Sequence, residues 1–458
     1  MLGYATAMRA LREVGLVVGA AALAIVAVAG VGGTAHAKAT LQGQLGASLG
    51  YTDNVLNAPT TSAPVGDGFA EIRPSLILTA GSPRAIQRLS YTLVGNLYFT
   101  RSEANSYTNR LEWAGFFLPS RRSDLQLAVS LSQGRLNTFN FGQLNEVAPG
   151  AVRITGGQTF VAAALREAFT YELSPVWRLT QGVAFGALFV VDTPRTTSNT
   201  ITTDVNVGAD RVFRSDSIGL ELRLGHLAFL DPPTTDATTG MTVEGATRHG
   251  MLNALTARWR HDFGRAWTTE AQLGVVEANR LVADANVVWQ PYAFAAARVT
   301  NAWATGELAY THTVTPSALA GSIFTVDGVT LRGTFLLGQN TGLTFVVGGG
   351  YQFARQAAFD GIETARAHVA SVDGTLNWAA TREVSVFARY NYFRQVPLDM
   401  TTTGVGLPDL SRHTVLVGIA AIYPANPGAQ VPRAPQRVDR TDSEGIPAPH
   451  RTDEPARQ

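Results

Sequence analysis

The segment Arg88-Leu-Ser-Tyr-Thr-Leu-Val-Gly-Asn-Leu-Tyr-Phe-Thr100 decides the reading of this chain. Leu89, Tyr91, Leu93, Leu97 and Phe99 occupy one parity, and Ser90, Thr92, Asn96 and Thr100 the other. Residues two apart share one face of a strand, so this is a strand that is apolar on one side and polar on the other. It is also longer than a core one face deep requires. The same pattern recurs from Leu41 to Tyr423. Leu125, Leu127, Val129 and Leu131 oppose Gln126, Ala128, Ser130 and Ser132, and Ile218, Leu220, Leu222 and Leu224 oppose Gly219, Glu221, Arg223 and Gly225. Long strands with one greasy face suit a sheet closed around water and surrounded by lipid. The expected fold is all-β, a transmembrane antiparallel β-barrel.

Turn chemistry gives the count. Short reversals at Gly81–Arg84, Pro119–Asp124, Ser174–Val176, Arg214–Asp216, Phe263–Arg265, Thr300–Asn301, Gly338–Gly342 and Ala379–Arg382 are rich in Gly, Pro, Asn, Asp and Ser. Longer polar stretches, among them Asp53–Gly66, Leu136–Gly156, Asp231–Gly245, Thr315–Ser322 and Pro397–Ser411, alternate with them. The runs between these markers number about 18, with about 16 as the lower count. Short turns on one side and long loops on the other match the periplasmic and extracellular ends of an outer-membrane barrel. Trp177, Trp259, Trp267, Trp303 and Trp378 lie near short turns. That is where an indole can be half buried at the membrane–water boundary. A β-propeller shares the roughly 40-residue turn spacing but needs four short strands in that length, and here there are two long ones.

The ends read differently. Residues 1–37 carry Arg9 and Arg12, an uncharged apolar run from Gly15 to Gly33, and Ala35-His36-Ala37, the pattern of a secretory signal peptide. Residues 38–424 make the barrel. Residues 425–458 continue a Pro-rich, charge-mixed stretch that cannot bury enough surface to order, and are expected to form a disordered periplasmic tail.

Composition excludes several classes of function. With no cysteine there is no disulfide framework, no thiolate metal site and no lipid-attachment Cys. A formal net charge of +1 gives no field for nucleic acid. The histidines after residue 37 show no metal-ligand spacing, and no segment assembles a nucleophile with a base, so neither a metal, a cofactor nor an enzyme is expected. Gly348-Gly-Gly350 sits inside a strand pattern with no helix behind it, which fits strand curvature or crowding and not a phosphate loop.

What remains is a charged interior. A charge on the lipid face near mid-bilayer costs roughly 2–4 kcal/mol, so the charged parity must face the lumen. That assigns Arg88, Glu112, Arg166, Glu221, Arg223, Arg258, Arg260, Glu270, Arg298, Glu307, Arg332 and Arg389 to the lining. Such residues serve either as wall-stiffening Arg–Glu ladders or as a guide for anionic solutes. Glu167, adjacent to Arg166, takes the wrong parity, and the expectation is a bulge there or a place at the membrane edge.

Leu49-Gly-Tyr51-Thr-Asp53-Asn54-Val55, at the end of the first strand, resembles the Tyr-x-Asp-Asn-hydrophobic opening of outer-membrane β-barrel porins associated with exopolysaccharide export, the myxobacterial-type secretion barrels. The resemblance implies a channel that exports a secreted polysaccharide across the outer membrane. It also implies a periplasmic polysaccharide-export protein and a co-polymerase as partners. The alternative reading is a general or substrate-selective uptake porin for small hydrophilic solutes.

Overall fold

The computed structural model describes residues 38–135, 159–191, 199–231, 247–264, 266–280, 287–317, 322–338, 341–356, 366–398 and 409–424, with Thr234–Thr235, Thr242–Val243 and Gly245. The expected signal peptide and tail lie outside the described residues, as does the Leu136–Gly156 loop.

Eighteen long strands follow one another. They are β1 (Lys38–Thr52), β2 (Asp67–Ser82), β3 (Ala85–Tyr98), β4 (Ser106–Ser120), β5 (Ser123–Arg135) and β6 (Thr159–Ser174). Then come β7 (Trp177–Val190), β8 (Asn199–Val212), β9 (Asp216–Leu230), β10 (Thr247–Phe263), β11 (Trp267–Arg280) and β12 (Val288–Thr300). The last six are β13 (Ala304–Ser317), β14 (Ser322–Leu336), β15 (Leu343–Gln356), β16 (Arg366–Ala379), β17 (Val384–Pro397) and β18 (Leu410–Tyr423). Each pairs antiparallel with its neighbours in sequence, and β1 pairs with β18 from Gly43↔Tyr423 to Thr52↔Thr414. The sheet therefore has no free long edge. A two-residue ribbon, Thr234–Thr235 with Thr242–Val243, stands inside the β9–β10 connection.

Parity sorts the side chains as the alternation requires. On β9, Ile218, Leu220, Leu222 and Leu224 point outward and are 46–60 % exposed. A band of large apolar side chains this exposed around a whole barrel is stable only against hydrocarbon. Trp177, Trp259, Trp267, Trp303 and Trp378 are all outward and exposed close to the short turns, forming the periplasmic ring. At the opposite end the outward face is polar: Tyr390 hydrogen-bonds His413 at 2.9 Å, and His226 meets His249 at 3.3 Å. An even-numbered closed barrel with this exterior is an outer-membrane protein.

Glu167 corrects the sequence reading. Its register Leu127↔Glu167↔Val183 runs without interruption, so there is no bulge. It sits at the middle of β6, away from either membrane edge, on the same parity as Leu165 and Phe169. Its Oε2 has no hydrogen-bond partner among the described residues. Glu167→Leu is expected to stabilise the barrel by roughly 1–2 kcal/mol, less than a lipid-facing Arg or Lys would cost because a carboxylate is the cheaper charge there. The check is the urea midpoint of refolding into liposomes; an unchanged or lower midpoint would show that the carboxyl is held by something the bilayer alone does not provide.

The second correction concerns Thr315–Ser322, expected to be a loop. Strand β13 continues to Ser317 and β14 begins at Ser322, with Ser317↔Ser322 closing the hairpin. Its last residues are buried on both faces: Val314, Thr315, Ile323, Phe324, Thr325 and Val326 are each at most 8 % exposed. A strand end in a barrel wall would leave one parity open to lipid, so this hairpin end has left the wall. Val314 and Ile323 pack with Leu227, Phe229, Val276 and Ala278 from the inner face of β9 and β11. Phe324 and Val326 pack with Ala354 and Ala367 of β15 and β16. The described end of the hairpin is folded into the lumen.

Candidate functional site: the barrel lumen

Strand register brings together residues far apart in the chain. On the wall made by β7 to β13, Arg258 is the hub. Its guanidinium donates to Asp210 of β8 at 2.9 Å, to Thr180 of β7 at 3.3 Å, and to Glu221 of β9. One register step away, Arg223 donates to Asp204 at 3.1 Å. Towards the periplasmic end Arg260 pairs with Asp262 at 3.2 Å, which also accepts from Thr268 at 2.9 Å. Arg298 of β12 bridges Glu270 at 3.1 Å and Glu307 at 2.5 Å, so three consecutive strands are tied by one side chain. Gln272 donates to Glu270 at 3.0 Å and accepts from Tyr292 at 3.4 Å.

The facing wall carries shorter pairs. Glu71 accepts from Arg73 at 2.9 Å, Glu112 from Arg110 at 2.5 Å, and Thr375 from the Arg389 Nε at 3.3 Å. Arg166 stands opposite Ala128 and Ala184 on the inner parity, and Arg332 opposite Glu307 and Gly348. Arg88 has no hydrogen bond or ion pair among the described residues; it faces Thr79 and Ala114 on the same inner parity. These charged residues share the inner parity of their strands, but they join in separate pairs and small clusters, centred on Arg258 and Arg298, and not in one continuous ladder.

Glycines make room for this lining. A β-carbon on Gly348 would fall 2.4 Å from Asp373 Oδ1, and one on Gly219 would fall even nearer the Asp210 carboxylate. That crowding explains the glycine at the start of Gly348-Gly-Gly350: Asp373 lies across it, between Arg332 and Arg389. Sequence reading missed Glu71, Arg73, Arg110, Asp204, Asp210, Asp262 and Asp373. Their parity was available, but β8 reads Thr-Ile-Thr-Thr-Asp-Val-Asn-Val-Gly-Ala-Asp over residues 200–210, too polar on both faces to assign.

The opening motif has a local task. Asn54 is 1 % exposed; its amide donates to Ala58 O at 2.8 Å and Ser411 O at 3.0 Å, and its Oδ1 accepts from Ala58 N at 2.8 Å. Asp53 accepts from His413 N at 2.7 Å. Tyr51 lies on the lipid face, 56 % exposed, opposite Val415. Val55, fully buried, drops inward against Phe69, Tyr98 and Leu416. Together these bonds sew the β1–β2 connection to β18, across the seam that closes the barrel. Asn54→Ala leaves a turn and a carbonyl of β18 unpaired. The expected loss is roughly 1–3 kcal/mol of stability, read as a lower heat-modification midpoint, with channel conductance unchanged in the protein that remains folded.

Between the charged networks and the inward hairpin lies a cavity of about 460 Å³. Leu227, Leu252, Val276, Tyr292 and Val314 line its upper part, and Arg166, Glu221 and Arg223 its lower part. Among the described residues no cluster of three or more His, Asp or Glu side chains is arranged to hold a metal ion.

No family model matches the chain, and no curated protein matches it either. Among solved structures it is similar to OccK9 (OpdG) of Pseudomonas aeruginosa, at 12 % identity over 84 % of this chain and 98 % of that one, with a TM-score of 0.44. OccK2 (OpdF) of the same organism, in complex with glucuronate, gives 13 % identity, 84 % and 98 % coverage and a TM-score of 0.42. OccAB3 of Acinetobacter baumannii gives 10 % identity, 85 % and 100 % coverage and a TM-score of 0.41. The architecture of this chain rests on its own strand pairings, which close an 18-stranded outer-membrane barrel.

Proposed function

We propose that this barrel is a passive, selective porin for small hydrophilic solutes. The observation that carries the reading is the inward end of the β13–β14 hairpin, buried on both faces within the lumen. An 18-stranded barrel otherwise leaves an aqueous channel; an apolar plug element across it restricts passage to small molecules. The fixed arginine and carboxylate networks below would then orient polar solutes by charge and hydrogen bonding. Export of a polysaccharide loses its main support, because Asp53 and Asn54, whose motif suggested it, are engaged in closing the barrel seam. An extended polymer also needs an unobstructed bore.

The test is reconstitution of the full barrel in planar bilayers and liposomes. Discrete ion conductance, with swelling rates that fall steeply from mono- to trisaccharides, is the expected result. Passage of long oligosaccharides at rates close to those of monosaccharides, or loss of surface polysaccharide on gene deletion, would return the export reading.

A further inference from the structure

One seam of the wall is incomplete. Pairing between β12 and β13 covers eight positions and ends at Ala293↔His312, whereas other seams run over 10 (β1–β18) to 15 (β1–β2). Both strands continue past that point, and among the described residues each is paired with its other neighbour only. Residues 288–292 stay with β11, ending at Ala278↔Val288, while residues 313–317 leave with β14, ending at Ser317↔Ser322. Had the register continued, Pro291 would face Val314. Proline has no N–H to give and is confined to sheet edges, so the released segment of β12 is chemically suited to being one.

The displacement is inward. Val314 and Ile323 share the strand parity of Leu308, Tyr310, Val329 and Leu331, which are 41–52 % exposed on the lipid face. Yet both are buried, and Ile323 Cδ1 lies 3.7 Å from where a β-carbon would stand on Gly250, on the inner face of β10. The wall therefore divides above Ala293 and His312. Eight positions, at roughly 3.3 Å rise and roughly 40° tilt, place the division about 20 Å above the periplasmic turn, at the level of the outer leaflet.

Unpaired strand edges are not tolerated against hydrocarbon unless they line water or a ligand. Two features sit at this point. The cavity is bounded by both lips of the division, with Tyr292 on one side and Thr311, Thr313 and Val314 on the other. On the outer face at its base, His312 Nδ1 lies 2.5 Å from Asp327 Oδ1, which also accepts from Tyr310 at 3.2 Å. The His312 Nε2 is buried and has no partner among the described residues.

We propose that the division between β12 and β13 is a lateral portal, connecting the lumen cavity with the outer leaflet, for small amphipathic molecules. The apolar upper cavity, Leu227, Leu252, Val276 and Tyr292, takes the apolar body, and the charged residues beneath take the polar end. The inference adds a side route to the pore reading and rests on it for the onward path to the periplasm.

The native chain contains no cysteine, so single labels report single positions. Bimane is attached to Ala254→Cys, in the cavity, or to Ser371→Cys, on the inner face of β16 at similar height and outside the cavity. Thr313→Cys at the lip serves as a second cavity label, and heat modification verifies that each barrel is folded. Liposomes carry phospholipid brominated on its acyl chains, and iodide is the aqueous quencher. The bilayer quencher is expected to dim the labels at Ala254→Cys and Thr313→Cys at least about twofold more than that at Ser371→Cys, because only an open wall admits acyl chains. Equal quenching at all three sites would overturn the portal. Ion conductance of the same labelled proteins separates the two ideas: current without differential bilayer quenching removes the portal and leaves the pore, and differential quenching without current removes the pore and leaves the portal.

Discussion

Replacing residues 315–322 and their flanks with a two-residue Asn-Gly turn that joins Thr313 to Val326 is expected to raise single-channel conductance on the order of threefold. The barrel frame has 18 strands, wide enough for an aqueous channel on its own. What narrows it is a short hairpin end on which Val314, Thr315, Ile323, Phe324, Thr325 and Val326 are all buried in the lumen. Replacing residues 314–325 takes away the contacts of Val314 and Ile323 with Leu227 and Val276 and Ile323's seat on Gly250, none of which belongs to the β12–β13 ladder below Ala293. The wall should still close, because the eight β12–β13 pairs and the β14–β15 ladder from Val326↔Ala354 to Leu336↔Thr344 are left in place. Planar-bilayer recordings in one salt, with the two proteins side by side, provide the measurement. An unchanged conductance would mean that the constriction lies elsewhere and that the selective-porin reading has lost its basis.

Arg258→Ala is expected to damage the barrel more than any other single change in the lining. Asp210 and Glu221 both depend on this guanidinium, and their side chains are only 13 % and 21 % exposed. Breaking a buried ion pair by removing one partner costs roughly 3–5 kcal/mol, and partial access of lumen water should reduce this to about 2 kcal/mol. Two carboxylates left as diagonal neighbours on β8 and β9, Asp210 opposite Gly219 and Glu221 opposite Gly208, add repulsion to desolvation. The expected readouts are a lower heat-modification midpoint and, in the protein that folds, a shift of reversal potential towards cation selectivity. Arg258→Lys should recover charge balance but not the three-way contact, because an ammonium cannot span Asp210, Glu221 and Thr180 as a planar fork does. If Arg258→Ala left both stability and selectivity untouched, the network would be ornamental to the pore and to its wall alike.

Much of this protein was legible before any fold was known. Strict period-two alternation on strands such as β3, β5 and β9 distinguishes inside from outside, since a charge on the lipid face is expensive and a leucine there is not. The short turns at Pro83-Arg84, Arg121-Arg122 and Pro175-Val176 fixed where strands reverse, and hence their number. Glu167 shows the limit of the rule: the local pattern implied an irregular strand, and the ladder is regular there, so the misfit belongs to the membrane face and not to the backbone.

The chain's alternation by itself settled an antiparallel wall, its outward and inward parities, and which charges share the interior. Only the folded barrel decided that Arg258 meets Asp210, Glu221 and Thr180, since register and tilt join residues separated by as many as 78 positions. The tertiary structure alone also decided that Val314 and Ile323 turn into the lumen. An isoleucine is equally at home against acyl chains and against Leu227 or Val276, so a period of two cannot tell one apolar environment from another; packing against a specific partner does.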